Sequence, residues 1–197
     1  RNPGNHCNQL KVFKTENINS QFVIDEIRKT TSSFLLNTSN KIYKEIFLTK
    51  KKFVHIHPAI LPDFRGADAS LWFLLLRNKI GSTSFVMNEE IDKGQIINIS
   101  DVKDIFYLSK SIFKKFDINN IYRIWFSFVD PLIRNLQFKK IISLNKDENY
   151  LLNIPKKTDE KNDKYYSFMD NQKKKEIFNK IFIKEDLIKL WLFYINF

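Results

Sequence analysis

One stretch, VHIHPAILPDFRG from Val54 to Gly66, constrains the fold more than any other part of the chain. The 197 residues include 3 histidines, 5 prolines and 4 glycines, and two of the histidines, two of the prolines and one glycine lie in this stretch. The apolar residues that lead into it predict a β-strand. Proline restricts its own backbone and that of the residue before it. The strand is therefore predicted to end at the histidines and to enter a loop.

The segments around this stretch alternate between strand and helix patterns. Apolar residues at helical spacing predict a helix at 67–78, and short apolar runs predict strands at 34–36, 52–56, 82–87 and 95–100. Such alternation is typical of an α/β domain with a mostly parallel sheet. Further along the chain, Pro131 is predicted to end or bend a helix, because proline lacks the backbone N–H that a helix needs.

Composition shifts divide the chain into three predicted parts. We expect a core at 1–145, a polar linker at 146–164 and a short carboxy-terminal appendage at 165–197 that ends in a helical tail. The tail carries an apolar stripe, which is predicted to pack against the core or against a second copy in a homodimer. A basic helix lying on a membrane surface is the alternative for this tail.

Charge and cysteine usage exclude several classes of protein. The formal net charge is +11, but the lysines are scattered and follow no DNA-binding pattern, so they indicate surface charge or attraction of anionic ligands. No apolar run is long enough for a transmembrane helix. The single cysteine, Cys7, permits no internal disulfide and favours the cytoplasm. His6 beside it lacks a second ligand pair, so no metal site is predicted.

The two histidines of the opening stretch are the first candidates for chemistry. His55 and His57 are two positions apart on a predicted strand, so their side chains point to the same side. Asp92 follows His57 after 35 positions, with a helix and a strand between them. That length suits a crossover returning the chain to the same edge of the sheet, where an Asp and a His would form a proton-transfer pair. The glycines in this interval are predicted to sit at tight turns.

These motifs together resemble those of a known family. The order and spacing of HIHPAILP, Phe64-Arg65-Gly66, GSTSFVM and EIDKGQII are similar to those of the folate-dependent formyltransferases, over residues 34–100. The resemblance implies a Rossmann-like core, with 10-formyltetrahydrofolate as co-substrate and no metal. The family fold begins with a strand and a Gly-rich turn well upstream, and residues 1–33 are too few to hold both. We therefore expect an amino-terminally truncated chain.

The resemblance also implies roles for individual residues. His57 matches the catalytic histidine, Asp92 matches the catalytic aspartate, and His55 stands where the family usually has asparagine. We expect His57 and His55 to donate hydrogen bonds to the oxyanion that forms during acyl transfer. Asp92 is expected to orient His57 and to assist proton transfer. A damaged or repurposed site is the alternative, because His55 departs from the family pattern.

The pterin pocket of the family lies between two loops. The resemblance places it here at Asn37, Lys41, Ile42, Tyr43, Asn88, Glu89, Glu90 and Ile91, acting largely through backbone groups.

The formyl acceptor is predicted from the Arg65-Gly66 turn, Trp72 and the short tail. These features resemble the amino-sugar N-formyltransferases, which implies a nucleotide-linked amino sugar as acceptor and a cytoplasmic role in lipopolysaccharide O-antigen biosynthesis. A tRNA partner is not expected. The alternatives are a methionyl-tRNA formyltransferase, a purine-pathway formyltransferase, a formyltetrahydrofolate deformylase and a non-catalytic folate-binding remnant.

Overall fold

A computed structural model of the chain describes residues 11–102, 108–109, 116–144 and 164–183. The first half contains helix α1 (Gln21–Arg28), strand β1 (Phe34–Asn37), a 3₁₀ helix (Glu45–Thr49), β2 (Lys52–His57), β3 (Arg65–Gly66), α2 (Ala69–Arg77), β4 (Ile80–Val86) and β5 (Gln95–Val102). The second half contains β6 (Leu108–Ser109), α3 (Ile118–Ile124), a π-helical turn (Trp125–Val129), α4 (Asp130–Leu144), β7 (Tyr165–Tyr166), α5 (Asn171–Ile181) and β8 (Phe182–Ile183). None of the helices described has both the length and the hydropathy needed to cross a membrane.

The central sheet has four strands in the order β1-β2-β4-β5. The predicted α/β class is confirmed, but the sheet is mixed: β1 and β2 are parallel, whereas β4 is antiparallel to both of its neighbours. Helix α2 ends at Arg77, and β4 begins at Ile80, with Asn78 between them in the left-handed conformation at φ 54°. The register places Thr83 opposite His57 and Val86 opposite Val54, so β4 starts at the His57 end of β2 and runs back along it.

The sheet has a hydrophobic core on each face. Alternate residues of a strand point to opposite faces, so Phe53 packs on one side of β2 while its neighbours pack on the other. The cluster on the Phe53 side joins α1 and the 3₁₀ helix through Val23, Tyr43, Ile46 and Phe53. The larger cluster joins the helices of the second half to α2 and β4 through Leu71, Leu74, Ile80, Ile121, Trp125, Ile133, Met169, Ile177, Phe178 and Ile181. Helix α4 of the second half packs against β4 and β2.

The described part of the predicted appendage packs against the rest of the protein. Strand β7 pairs with β3, Tyr166 opposite Gly66, and Trp72 Nε1 donates a hydrogen bond to the Ser167 carbonyl at 2.8 Å. The apolar residues of α5 are buried in the larger core, which confirms core packing for that part of the tail. Most of the predicted linker, and the tail after 183, lie outside the described residues. The division into core, linker and appendage remains a prediction.

Pro131 was predicted to end or bend a helix, and in the structure the helix changes type directly before it. The π-helical turn Trp125–Val129 lies directly before Asp130 and Pro131, which begin α4. Proline cannot donate to the preceding turn, and a π-helical turn is one way in which a helix accommodates that loss. As a result, Asp130 and Arg134 lie in the first turns of α4, near the end of β2.

Candidate active site

Strand β2 presents the two histidines on one face of the sheet. His55 pairs across the sheet with Asn37 of β1 and with Phe85 of β4, and His57 pairs with Thr83. Strand β1 ends at Asn37, so β2 extends beyond it at its carboxyl end. His57 is only 3% exposed, and His55 is partly buried. The predicted strand end with two imidazoles on one side is therefore present.

Asp92 reaches His57 by a different route from the one predicted. Because β4 and β5 form an antiparallel hairpin, the loop between them, rather than a crossover to the sheet edge, brings Asp92 to the histidines. Hydrogen bonds tie the loop to neighbouring segments: Gly66 N donates to Asp92 Oδ2 at 2.9 Å, Arg65 Nε donates to Asp92 O at 3.2 Å, and the Tyr165 hydroxyl donates to the Ile91 carbonyl at 2.8 Å. Asp92 has φ at 55°, a left-handed conformation that Asp tolerates better than most residues.

His57 and Asp92 form a buried pair. His57 Nδ1 lies 3.5 Å from Asp92 Oδ1, and the two side chains are 4% and 12% exposed. His57 Nε2 lies 2.6 Å from the Phe64 carbonyl, which can only accept, so Nε2 carries a proton. Burial lowers the pKa of His57 and outweighs the opposing effect of the Asp92 carboxylate. The neutral ring therefore turns its unprotonated Nδ1 towards Asp92, and together these two groups can accept one proton.

His55 has partners at both of its ring nitrogens. Nδ1 lies 3.2 Å from the Asn37 carbonyl and 3.3 Å from Asn37 Nδ2, and Nε2 lies 3.4 Å from Arg134 Nη1, which can only donate. Because Nε2 faces the Arg134 donor, the proton of the neutral ring is assigned to Nδ1, where the Asn37 carbonyl can accept it. Burial, and then the charge of Arg134, lower the pKa of His55 to about 4. The predicted role of His55 as a donor to the oxyanion would thus require the ring to leave the Asn37 carbonyl.

The stability of the protein should depend on pH through His55. The unfolded chain takes up a proton near the ordinary pKa of 6.5, whereas the folded chain does so only near 4. The unfolded state therefore binds more protons between these values, and the free energy of unfolding should fall as pH drops through this window. The loss should be on the order of 3 kcal/mol. Urea unfolding between pH 7 and pH 4 should show a weaker dependence in His55→Phe. An equal dependence in both proteins would contradict the assignment.

Sequence reasoning missed Arg134, which approaches the site from α4. Its Nε is 2.6 Å from Asp130 Oδ2, and its Nη1 donates to the Ile56 carbonyl, beyond the end of β1. The Asp130 carboxylate is held by Ser70 Oγ at 3.0 Å, and that hydroxyl accepts from Trp125 Nε1 at 3.0 Å. The spacing of Asp130 and Arg134, one helical turn apart after a helix start, was the available signal.

The two segments predicted to bind the pterin lie beside the histidine face. Asn37 contacts Met87, the residue before the second segment, with Nδ2 3.2 Å from Sδ. Tyr43 belongs to the hydrophobic core and donates its hydroxyl to Asn37 Oδ1 at 3.0 Å, so its side chain serves the fold. Ile42 and Ile91 are 57% and 55% exposed, so both present apolar surface to solvent. The remaining side chains of this set are exposed: Lys41, Asn88, Glu89 and Glu90.

Metal ligands are not brought together in the described part of the chain. No three His, Cys, Asp or Glu side chains there are close enough to hold an ion. His6 and Cys7 lie outside the described residues.

The chain is similar to known proteins both in sequence and in fold. Residues 19–109 match the family described as Formyl transferase. The methionyl-tRNA formyltransferase of Campylobacter lari is 22% identical over 156 residues, which cover 75% of this chain and 47% of that protein. The methionyl-tRNA formyltransferase of Sulfurimonas denitrificans is 36% identical over 64 residues, which cover 32% of this chain and 21% of that protein. The chain thus spans less than half the length of either relative.

The fold is similar to that of a solved sugar N-formyltransferase from Shewanella sp FDAARGOS_354. The TM-score is 0.51 at 19% identity, and the match covers 76% of this chain and 54% of that one. At this level of identity the likeness concerns the fold. The family resemblance and the Rossmann-like α/β fold predicted from the sequence are confirmed by these matches.

Proposed function

We propose that this chain, which carries the formyl transferase sequence at residues 19–109, is an enzyme that transfers a formyl group from 10-formyltetrahydrofolate to an amine. The observation that carries the proposal is the buried pair of His57 and Asp92, 3.5 Å apart. An attacking amine must lose a proton as it forms the new bond. The unprotonated Nδ1 of His57 and the Asp92 carboxylate provide a place for that proton in a site that largely excludes water.

The residues around the pair fit the co-substrate. Exposed Ile42 and Ile91 offer apolar surface to a flat ring system, and the loops that carry them have backbone groups able to bond its polar edge. We propose that Asn37, Lys41 and the 88–91 loop bind folate, mainly through their backbones, without a metal. Tyr43 would contribute by holding Asn37 in place.

For the acceptor we propose a nucleotide-linked amino sugar, in cytoplasmic biosynthesis of a lipopolysaccharide O-antigen. The support is an aromatic surface beside the loop that holds Asp92. Trp72 and Tyr166 have ring centroids 5.1 Å apart, and Tyr166 stacks on Phe64 at 5.3 Å. Such rings bind the apolar faces of bases and sugars, and Lys164 lies over Tyr166, where it can attract a phosphate.

Methionyl-tRNA is the second candidate acceptor. It is favoured by the Campylobacter lari relative, whose similarity extends over 156 residues, and by the formal net charge of +11. Positive charge attracts the phosphates of RNA without base recognition.

The proposed function predicts folate binding and a single productive class of acceptor. Calorimetry with 5-formyltetrahydrofolate should show saturable binding that a chelator leaves unchanged. Release of tetrahydrofolate from 10-formyltetrahydrofolate should occur with nucleotide-linked amino sugars and not with initiator methionyl-tRNA or glycinamide ribonucleotide. Turnover with methionyl-tRNA alone would favour the second candidate. Release of formate without any acceptor would indicate a deformylase. Binding without turnover would contradict the enzyme assignment.

A further inference from the structure

The four ring nitrogens of the two histidines all have partners. His57 Nε2 donates to the Phe64 carbonyl, and His57 Nδ1 faces Asp92. His55 Nδ1 donates to the Asn37 carbonyl, and His55 Nε2 faces Arg134. Formyl transfer, however, creates negative charge on the formyl oxygen, and that charge needs a hydrogen-bond donor. In this arrangement neither ring has a free N–H to provide it.

Arg134 has such a donor. The guanidinium Nε donates to Asp130, and Nη1 donates to the Ile56 carbonyl and to His55. Nη2 has no partner within the described ranges. The side chain is 35% exposed, whereas the Asp130 side chain is 6% exposed. One edge of the guanidinium is thus fixed in the protein, and the other remains accessible to a ligand.

The surroundings hold the guanidinium in one orientation. The guanidinium is planar, so a bond at Nε and a bond at Nη1 together fix the direction of Nη2. Asp130 cannot easily move, because its other oxygen, Oδ1, accepts a hydrogen bond from Ser70 Oγ, which in turn accepts one from Trp125 Nε1 in the larger core. A donor fixed before the reaction needs no rearrangement when charge develops, and this is what makes such groups effective.

We infer that Arg134 stabilises the oxyanion of formyl transfer through Nη2, and that His55 and Asp130 are positioning residues for its guanidinium. The inference rests on the proposed function. In this inference His55 does not itself donate to the oxyanion. Its unprotonated Nε2 instead accepts a hydrogen bond from Arg134, which also donates to the Ile56 carbonyl.

The step balances with groups already named. The amine nitrogen bonds to the formyl carbon, and the electron pair of the C=O bond moves to the oxygen, which Arg134 holds. One amine proton passes to the pair of His57 and Asp92. The oxygen then re-forms its double bond, the bond from carbon to N10 of the folate breaks, and N10 receives the electron pair and the proton. The products are a formamide and tetrahydrofolate.

Substitution of Arg134 should lower turnover while leaving folate binding intact. With the acceptor that is active in the panel above, Arg134→Gln should reduce kcat about 10²–10³-fold, the effect of removing one such donor in comparable sites. The Kd of 5-formyltetrahydrofolate, measured by calorimetry, should stay unchanged. Arg123→Gln is the matched control, because Arg123 is exposed on the neighbouring helix α3, and it should keep the parent kcat. Added guanidinium should partly restore Arg134→Ala, whereas tetramethylammonium should not.

His55 variants test the positioning role separately. His55→Gln retains an acceptor for Arg134 and should keep most of kcat, whereas His55→Leu should lose it, with KM unchanged in both. Equal kcat in the parent and Arg134→Gln would overturn the inference and leave the proposed function standing. A loss in Arg134→Ala that guanidinium does not restore, together with weakened folate binding, would also overturn it. If the parent turns over no acceptor, the proposed function fails and the inference fails with it.

Discussion

Replacing Asp92 with asparagine should abolish most formyl transfer without unfolding the protein. The amide keeps an oxygen for the Gly66 N–H, which now bonds Asp92 Oδ2 at 2.9 Å, and Asn adopts the left-handed conformation as readily as Asp. The amide cannot accept the amine proton, and its NH₂ group would donate to the unprotonated Nδ1 of His57. Both halves of the proton-accepting pair are thereby lost. We expect kcat to fall about 10²–10⁴-fold, the usual contribution of general acid–base catalysis.

The control and the binding measurement make this result specific. Asp101→Asn changes another carboxylate to an amide at an exposed position, where it pairs with Lys79 at 3.3 Å, and should leave kcat unchanged. The Kd of 5-formyltetrahydrofolate should be the same in Asp92→Asn and in the parent. If Asp92→Asn keeps the parent kcat, Asp92 serves only to hold its loop, and the proposed mechanism is wrong.

The sequence predicted which residues lie together, but it did not predict the path of the chain that brings them there. His55 and His57 were expected on one side of a strand end because strand side chains alternate, and this local rule holds here. Asp92 was expected beside them on the basis of chain length and resemblance. It is there, but it arrives through a hairpin loop, because β4 runs antiparallel to β2 and β5. The direction of β4 depends on which end of the sheet α2 reaches, and side-chain patterns do not reveal that.

The glycines show the same limit of sequence reasoning. They were expected at tight turns, but Gly81 lies within β4, where a Cβ would come within 2.9 Å of the Ser100 carbonyl. At Gly94 a Cβ would come within 1.8 Å of the Val86 carbonyl. Composition indicated that these positions are constrained. The constraint comes from neighbouring backbone in the fold, which pattern reading cannot locate. Arg134 escaped notice for a related reason, since 79 positions separate it from His55.

Replacing Gly66 with alanine should strongly lower the stability of the protein. Gly66 has φ at 96°, which L residues rarely adopt, and a Cβ there would lie 2.3 Å from the Tyr166 carbonyl oxygen. Strand β7 would have to move away from β3, and with it Tyr166, which stacks on Phe64. Backbone strain and overpacking each cost about 1–3 kcal/mol, so we expect the free energy of unfolding to fall by about 2–6 kcal/mol in urea titrations.

The same substitution should also disturb the active site, because Gly66 N is the donor that holds Asp92 Oδ2. In protein that remains folded, kcat should fall together with stability, since the pairing of β3 with β7 and the position of Asp92 depend on one backbone segment. Asp63→Ala, at an exposed position of the same loop, is the control and should change neither quantity. If Gly66→Ala is as stable as the parent, β7 does not pack on this turn in solution. The 164–183 segment would then be no part of the structure that supports the site.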